Sequence, residues 1–284
     1  MKYIYLIIFT LILASCEETV EGDLPFREQV VISSVLTAGK NITSPGINTA
    51  SFVHLGKTVH PLENPDTNRS FLKEAKVTIK VDSDIYELTY FKNGYWINNE
   101  LIPEEGKNYR IEVEYKGKIT SAETFIPVYD IEKGPITKEI KEVDDWFGEK
   151  YYQINLKQKI KVNSNDFAFF VSQLYLFDEQ SELYNRYIDG PLYNENNTNG
   201  EFETTIYSLS LSDLSDTLFL KDLKLLSYDL FDPAVEIFWD SQYEGNEESG
   251  IFGGGGLNRN GNIKNGIGFF FGNSFRVEKI EIEF

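Results

Sequence analysis

EGKNYRIEV, at residues 105–113, is the stretch that decides the fold of this chain. Its apolar side chains occupy every second position from Tyr109, which is the period of a strand with one buried face. Residues 115–118 (YKGK) then form a turn that leads into a further extended segment, residues 119–125. This local pattern predicts β structure.

The neighbouring segments repeat the same period. Residues 75–81 (AKVTIKV) alternate, and residues 85–91 follow after the turn Asp82-Ser83-Asp84, which predicts a hairpin. The pattern Gly106-x-x-Tyr109-x-Ile111-x-Val113 resembles the tyrosine corner of immunoglobulin-like (Ig-like) sandwiches, in which the tyrosine hydroxyl bonds to upstream backbone. About seven short strands fit within roughly 100 residues, as in such sandwiches. We therefore expect an Ig-like β-sandwich over residues 27–130.

The remainder, residues 135–284, predicts a second antiparallel β domain, and Gly134-Pro135 indicates the boundary. Residues 151–162 and 167–177 lie on either side of a polar turn, so we expect them to pair antiparallel. A short helix is expected near residues 232–243, because Asp232 suits the N-cap and Pro233 the first helical position. The predicted fold class is mainly β: an N-terminal Ig-like β-sandwich followed by a second antiparallel β domain with one short helix.

The N-terminus carries a targeting signal. One positive charge, Lys2, precedes the apolar run from Tyr3 to Leu13, and small residues follow before Cys16. This order is typical of a secretory signal peptide. As a helix the run would rise about 17 Å, which is too short for a bilayer core of about 30 Å. Residues 1–15 are therefore predicted to be a signal peptide.

Cys16 is the predicted lipidation site. Leu13-Ala14-Ser15-Cys16 resembles the lipobox of bacterial lipoproteins, in which the cysteine is diacylated and becomes the first residue of the mature chain. The chain has one cysteine, so no disulfide is expected. Two or three acyl chains would anchor the protein stably, at about 0.8 kcal/mol for each buried methylene. The alternative is a fortuitous cysteine in an ordinary secreted protein.

Acidic residues follow Cys16 directly. Glu17 and Glu18, continued by Glu21 and Asp23, resemble the surface-export signal of Bacteroidota lipoproteins. The resemblance implies a lipid-anchored location on the outer membrane, facing the cell exterior. The same residues would also suit a plain solvated tether, and residues 16–26 are predicted to be an acidic tether in either case.

Net charge and histidine content argue against several functions. The formal net charge is −18, whereas nucleic-acid binding requires a basic surface. The same charge argues against electrostatic docking onto anionic lipid. Only two histidines, His54 and His60, are present, which leaves little for histidine-based catalysis or zinc binding.

No catalytic motif is found, and we expect no enzymatic activity, cofactor or metal. The glycine run at residues 253–256 is not part of a phosphate-binding loop, and no Gly-x-Ser-x-Gly motif is present. The 45 acidic residues always allow some carboxylate pair at glycosidase spacing, so their number is uninformative. Trp96, Trp146 and Trp239 could stack on sugars, although packing is the commoner role of tryptophan.

Several motifs, taken in order, resemble an uncharacterised family of Bacteroidota outer-membrane lipoproteins, a domain of unknown function encoded beside TonB-dependent receptors. They are the lipobox, the early strand at residues 30–36, the pattern from Gly106 to Val113 followed by residues 122–127 (AETFIP), and residues 261–270 (GNIKNGIGFF). The last is similar to that family's G-N-I-x-x-G-x-G-x-F signature. The chain departs from the family just before this signature. The family usually has an Asn-Pro-Phe stretch there, whereas residues 245–256 of this chain read GNEESGIFGGGG.

The resemblance implies an outer-membrane protein partnered with a TonB-dependent transporter. We expect a lipid-anchored binding accessory whose partners are the outer-membrane lipid, through acylated Cys16, and the receptor, with no nucleic acid. Two alternatives stay open: a surface glycan-processing enzyme, and a structural or adhesive envelope lipoprotein.

Overall fold

The structure is a computed structural model that describes residues 26–43, 51–60, 70–144, 150–163, 167, 169–178, 181–184, 201–211, 223–235 and 261–279. Within these ranges the chain is mainly β, and helical backbone is confined to Ser70, Ala234 and Val235. The predicted fold class is thereby confirmed.

The described strands are numbered in chain order. The first seven are β1 (Val30–Thr37), β2 (Phe52–Lys57), β3 (Lys76–Val81), β4 (Asp84–Lys92), β5 (Tyr95–Ile97), β6 (Asn108–Tyr115) and β7 (Lys118–Phe125). They are followed by β8 (Ile131–Asp144), β9 (Lys150–Val162), β10 (Phe169–Asp178), β11 (Ser181–Tyr184), β12 (Glu201–Leu211), β13 (Leu223–Phe231), β14 (Ile263–Lys264) and β15 (Ile267–Lys279).

A large hydrogen-bonded sheet contains twelve of these strands, in the order β11-β10-β13-β15-β1-β2-β5-β4-β3-β6-β7-β14. Its interior pair β15 and β1 is parallel, with Ser33 opposite Phe269. Strands from both halves of the chain thus share one sheet, which crosses the predicted boundary near residues 130–135. The division into two domains stays a prediction.

The sheet curls so that β7 lies against β15. A Cβ atom added to Gly272 in β15 would lie 2.1 Å from the carbonyl oxygen of Phe125 at the end of β7. β14 also pairs with β7, with Ile263 opposite Ala122, and then turns into β15. The curled sheet encloses a core of fully buried side chains that includes Ile32, Leu55, Ile79, Ile111 and Phe270.

Strand β6 follows the alternation that its sequence predicts. Tyr109 is 2% exposed and Ile111 and Val113 are fully buried, and each such burial stabilises the fold by about 1.5–3 kcal/mol. The tyrosine corner is also confirmed, because the Tyr109 hydroxyl accepts a hydrogen bond of 2.7 Å from the backbone N–H of Glu104.

Two predicted turns are confirmed. Lys116 and Gly117 connect β6 to β7 with φ values of 49° and 70°, as the type I′ turn of a two-residue hairpin requires. β3 and β4 form the predicted hairpin, with Val81 opposite Asp84 and a φ of 52° at Asp82 between them.

Gly134 and Pro135, which the sequence predicts to mark a domain boundary, lie inside β8. The register of β8 against β9 shifts between Lys133 and Ile136, which places both residues in a bulge. Proline lacks the N–H that a ladder requires and is tolerated at bulges and on edge strands. β8 is an edge strand of a separate three-stranded sheet, β12-β9-β8.

The predicted pairing of residues 151–162 with 167–177 is wrong. β9 pairs with β8 and β12, whereas β10 pairs with β13 and β11 in the large sheet. The two sheets are joined by Tyr228, whose hydroxyl donates a hydrogen bond of 2.6 Å to Oε1 of Gln158. Alternation fixes which face of a strand is buried, but it does not fix which strand lies beside it.

Asp232 lies at the predicted helix start and acts as a cap. Its Oδ1 accepts a hydrogen bond of 2.7 Å from the N–H of Ala234, and Ala234 and Val235 are helical. The rest of the predicted helix, residues 236–243, lies outside the described residues. In the ranges that the structure describes, no helix has both the length and the apolar character needed to cross a membrane.

Candidate functional site

The chain enters the described body at the start of β1. Cys16, Glu17 and Glu18, predicted for lipidation and export, lie outside the described residues. The first described residue is Phe26, which is also the last residue of the predicted tether. We call this end of the molecule the tether end and define it by Phe26, Arg27, Glu28 and the β6–β7 turn.

A cleft of about 460 Å³ opens at the tether end. Its walls are the start of β1, the β6–β7 turn and the turn between β14 and β15. Most of the charged side chains that line it are cationic. We call it the tether-end cleft, and its polar lining includes Arg27, Glu28, Tyr115, Lys116, Lys118 and Asn265.

Glu28 lies between two lysines in this cleft. Its Oε1 is 2.8 Å from Nζ of Lys116, and its Oε2 is 3.2 Å from Nζ of Lys57. The hydrogen bond from Lys116 is the main cause that lowers the pKa of Glu28, and Glu28 in turn raises the pKa of Lys116. The ionised carboxylate therefore ties the start of β1 to the β6–β7 turn and to β2.

The charge of the cleft is opposite in sign to that of the whole chain. Arg27, Lys116 and Lys118 are cations, and Glu28 is the acidic residue of the described lining. The formal net charge of the chain is −18. Folding thus gathers positive charge at the tether end of an acidic protein.

Apolar side chains flank these cations. Ile119 is 53% exposed and Phe26 is 39% exposed, and Nζ of Lys116 lies 5.0 Å from the centre of the Tyr115 ring, a cation–π contact. The tip of the β6–β7 hairpin therefore carries two lysines, with Tyr115 before them and Ile119 after them in the sequence.

Asn265 forms the third wall of the cleft. Its φ of 62° is left-handed, a conformation that asparagine tolerates better than most residues. Its carbonyl accepts a hydrogen bond of 3.1 Å from the Thr120 hydroxyl, and its side-chain amide donates one of 3.3 Å to the carbonyl of Ile119. These bonds hold the β14–β15 turn against β7.

The glycines of the GNIKNGIG stretch have no room for a side chain. A Cβ on Gly266 would lie 2.7 Å from the carbonyl oxygen of Val30, and one on Gly268 would lie 2.0 Å from that of Ile32. Gly268 also has a φ of +108°, which favours glycine. Close approach of β15 to β1 thus explains a motif that the sequence offered only as a resemblance.

Asn262 of the same stretch joins β7 to β15. Its side-chain amide donates hydrogen bonds of 2.8 Å to the carbonyl of Glu123 and 2.6 Å to that of Phe270. Its Oδ1 accepts one of 2.9 Å from the N–H of Phe270. The side chain therefore replaces strand pairing where the sheet curls.

The other end of β1 lies away from the tether-end cleft. Gly39, just after β1, donates a hydrogen bond of 2.8 Å to the carbonyl of Pro103, which brings the loop with Ile102 to this end. Ile102 is 51% exposed and Lys40 is exposed as well. We call this the far end, and define it by Gly39, Lys40 and Ile102. The eight residues of β1 separate it from the tether end by about 26 Å.

The side chains that could carry catalysis have packing roles where they are described. His54 lies edge-on to Tyr95 at 4.8 Å and to Phe71 at 5.8 Å, and burial lowers its pKa. Trp96 is 4% exposed and donates a hydrogen bond of 3.2 Å to the carbonyl of Leu72. Trp146 and Trp239 lie outside the described residues.

The described residues contain no group of three or more histidine, cysteine, aspartate or glutamate side chains arranged to hold a metal ion. The chemistry that the tether-end cleft offers is instead recognition of an anion by arginine, lysine and amide donors. Sequence reasoning missed this cleft because Glu28 and Lys116 are 88 positions apart. The lysines of the YKGK turn were the local signal.

These features define a mainly β protein whose curled sheet is closed by an asparagine and a set of glycines, with a cationic cleft where the chain enters. A family model described as a domain of unknown function, DUF4249, matches residues 17–278, and the chain belongs to this family. The prediction of an uncharacterised family with a domain of unknown function is thus confirmed. Neither the search of curated proteins nor that of solved structures found a match.

Proposed function

We propose that this chain is a lipid-anchored outer-membrane lipoprotein of a Bacteroidota cell, exposed at the surface, that serves as a binding accessory of a TonB-dependent transporter. The observation that carries the proposal is the order of features at the N-terminus. Lys2, the apolar run and Leu13-Ala14-Ser15-Cys16 are followed at once by Glu17 and Glu18.

The position of the family domain supports this proposal. The match to DUF4249 begins at residue 17, directly after the cysteine proposed for acylation. The first described residue, Phe26, follows ten positions after Cys16. Ten extended residues span at most about 33–36 Å, so an acylated Cys16 would hold the folded body close to the bilayer.

The anchor is tested by metabolic labelling with a fatty-acid probe. The wild-type chain should incorporate the probe and begin at Cys16, because the signal peptide is removed. Cys16→Ala should incorporate none. A mature chain that begins at Met1, or that carries a free thiol at position 16, would contradict the anchor.

Surface exposure is tested by treating intact cells with a protease. Glu17→Ala combined with Glu18→Ala should protect the protein, because the export signal is lost while the anchor is kept. The matched control is Glu17→Asp combined with Glu18→Asp, which preserves the negative charge. Equal digestion of the alanine variant and wild type would remove these residues from the export signal.

The partner is tested by isolating the acylated protein from detergent-solubilised outer membranes. Recovery of a TonB-dependent receptor supports the accessory role. Turnover of a surface polymer by the purified mature chain would favour the glycan-processing alternative. Failure to recover a receptor, together with loss of cell adhesion on deletion, would favour the structural one.

A further inference from the structure

We infer that the tether end rests on the membrane surface, where the tether-end cleft holds the phosphate of an anionic lipid headgroup. This inference rests on the proposed function in one respect: the anchor at Cys16 is what holds the tether end near the bilayer. The headgroup contact would be a second, non-covalent attachment to the membrane besides the acyl chains, and it would orient the folded body.

The charges of the cleft fit a phosphate. Glu28 already binds Lys57 and Lys116, and within the described ranges neither Arg27 nor Lys118 forms an ion pair. An arginine can bind phosphate oxygens through two parallel hydrogen bonds, and a lysine adds a point charge. Arg27 and Lys118 are therefore placed to receive an anion from outside the protein.

The apolar groups around the cleft fit the headgroup region of a bilayer. Ile119 lines the cleft and is 53% exposed, and Phe26, next to Arg27 in the sequence, is 39% exposed. Tyr115 lines the cleft beside Lys116. Aromatic and aliphatic tips between basic residues are typical of surfaces that sit at a membrane interface. The type I′ turn at Lys116 and Gly117 fixes this tip at the end of a paired hairpin.

The charge of the body and the point where the tether enters it favour this end. The far end lies about 26 Å from the tether end, the length of β1. The ten residues after Cys16 reach at most about 33–36 Å, so they could bring the far end to the bilayer only by lying extended along the whole of β1. The remaining acidic surface is repelled by anionic lipid, so the far end faces away from the membrane.

The test replaces the acyl anchor, so that it does not depend on native lipidation. The mature chain, with a hexahistidine tag in place of Cys16, is held on vesicles that contain a nickel-chelating lipid and a headgroup quencher. A fluorophore is attached at Ile119→Cys, or at Ile102→Cys as the matched site of equal exposure at the far end. The vesicles are phosphatidylcholine alone, or equal parts of phosphatidylcholine and phosphatidylglycerol.

We expect several-fold stronger quenching at position 119 than at position 102 in the anionic vesicles. The difference should shrink in phosphatidylcholine and in high salt, because salt screens the headgroup charge. Lys118→Glu should reduce quenching at position 119, whereas Lys40→Glu, the same charge change at the far end, should not.

Equal quenching at the two positions would overturn the inference. So would quenching at position 119 that is the same in both vesicles, or that Lys118→Glu leaves unchanged. If instead the tether end binds the rim of the transporter, position 119 should stay unquenched on vesicles that lack the receptor, which also overturns the inference. The acylation and receptor experiments are separate, so a failure here leaves the proposed function standing.

Discussion

Asp232→Ala tests whether one buried carboxylate holds β7 to the segment that follows β13. Asp232 is 7% exposed. Its Oδ2 accepts hydrogen bonds from the Thr124 hydroxyl and from the N–H of Phe125, the latter at 2.7 Å, and its Oδ1 accepts one of 2.7 Å from the N–H of Ala234. These donors come from segments more than 100 positions apart as well as from the local cap.

The size of the effect follows from these three hydrogen bonds. Each bond to a charged acceptor contributes about 1.5–3 kcal/mol, and relaxation with water would restore part of the total. We expect Asp232→Ala to lower the free energy of unfolding by about 3–5 kcal/mol. At about 2–4 °C for each kcal/mol in a chain of this size, the melting temperature should fall by about 6–20 °C.

The assay is urea and thermal unfolding of the mature chain, followed by circular dichroism. Asp232→Asn should show about half the loss, because the amide keeps one acceptor oxygen but turns its NH₂ group towards a donor. Asp84→Ala, at an exposed turn, is the control. If the free energy of unfolding of Asp232→Ala lies within about 1 kcal/mol of that of the control, the carboxylate does not hold these segments together and the reasoning is refuted.

Three further predictions concern single side chains. Asn262→Asp should lower the free energy of unfolding in urea by about 2–4 kcal/mol, because a carboxylate cannot donate to the two carbonyls that the amide binds. A decrease no larger than that of Asn262→Ala would contradict this. Tyr109→Phe should cost about 1 kcal/mol in the same assay through loss of the bond from Glu104, and an unchanged unfolding midpoint would argue against the corner. The pKa of Glu28 is lowered from 4.5, so the stabilisation by its carboxylate is present above that value and is lost as pH falls through the folded pKa. The melting temperature should therefore fall below about pH 4.5, and it should fall less steeply in Glu28→Gln. Parallel plots of melting temperature against pH for the two proteins would refute a link between the ionisation of Glu28 and stability.

The parts of the fold that the sequence predicted are those set by neighbouring residues. The tyrosine corner depends on Tyr109 and on Glu104, five positions upstream. The β6–β7 turn depends on two adjacent residues that adopt positive φ. Alternation, turns and caps are local, and a single sequence carries them.

The parts that it could not predict are those set by partners far along the chain. A short polar stretch of sequence separates β9 from β10, yet each strand pairs in a different sheet. β15 lies parallel to β1, more than 200 positions away, and only the resulting lack of space explains Gly266 and Gly268. Pro135 looks like a boundary because a bulge on an edge strand leaves the same local signature as a loop.

The candidate site shows the same separation between local and distant information. The net charge of −18 predicts that docking on anionic lipid is unfavourable. That sum, however, ignores where the individual charges lie. Electrostatic attraction at a surface is instead decided by the charges within about one Debye length, roughly 8–10 Å in physiological salt. At the tether end that neighbourhood contains the cations Arg27, Lys116 and Lys118 together with Glu28, and the acidic residues of the tether precede it in the sequence. An acidic body with a cationic patch where its tether begins approaches an anionic bilayer most favourably through that patch, so a negative net charge is compatible with the orientation that the patch defines.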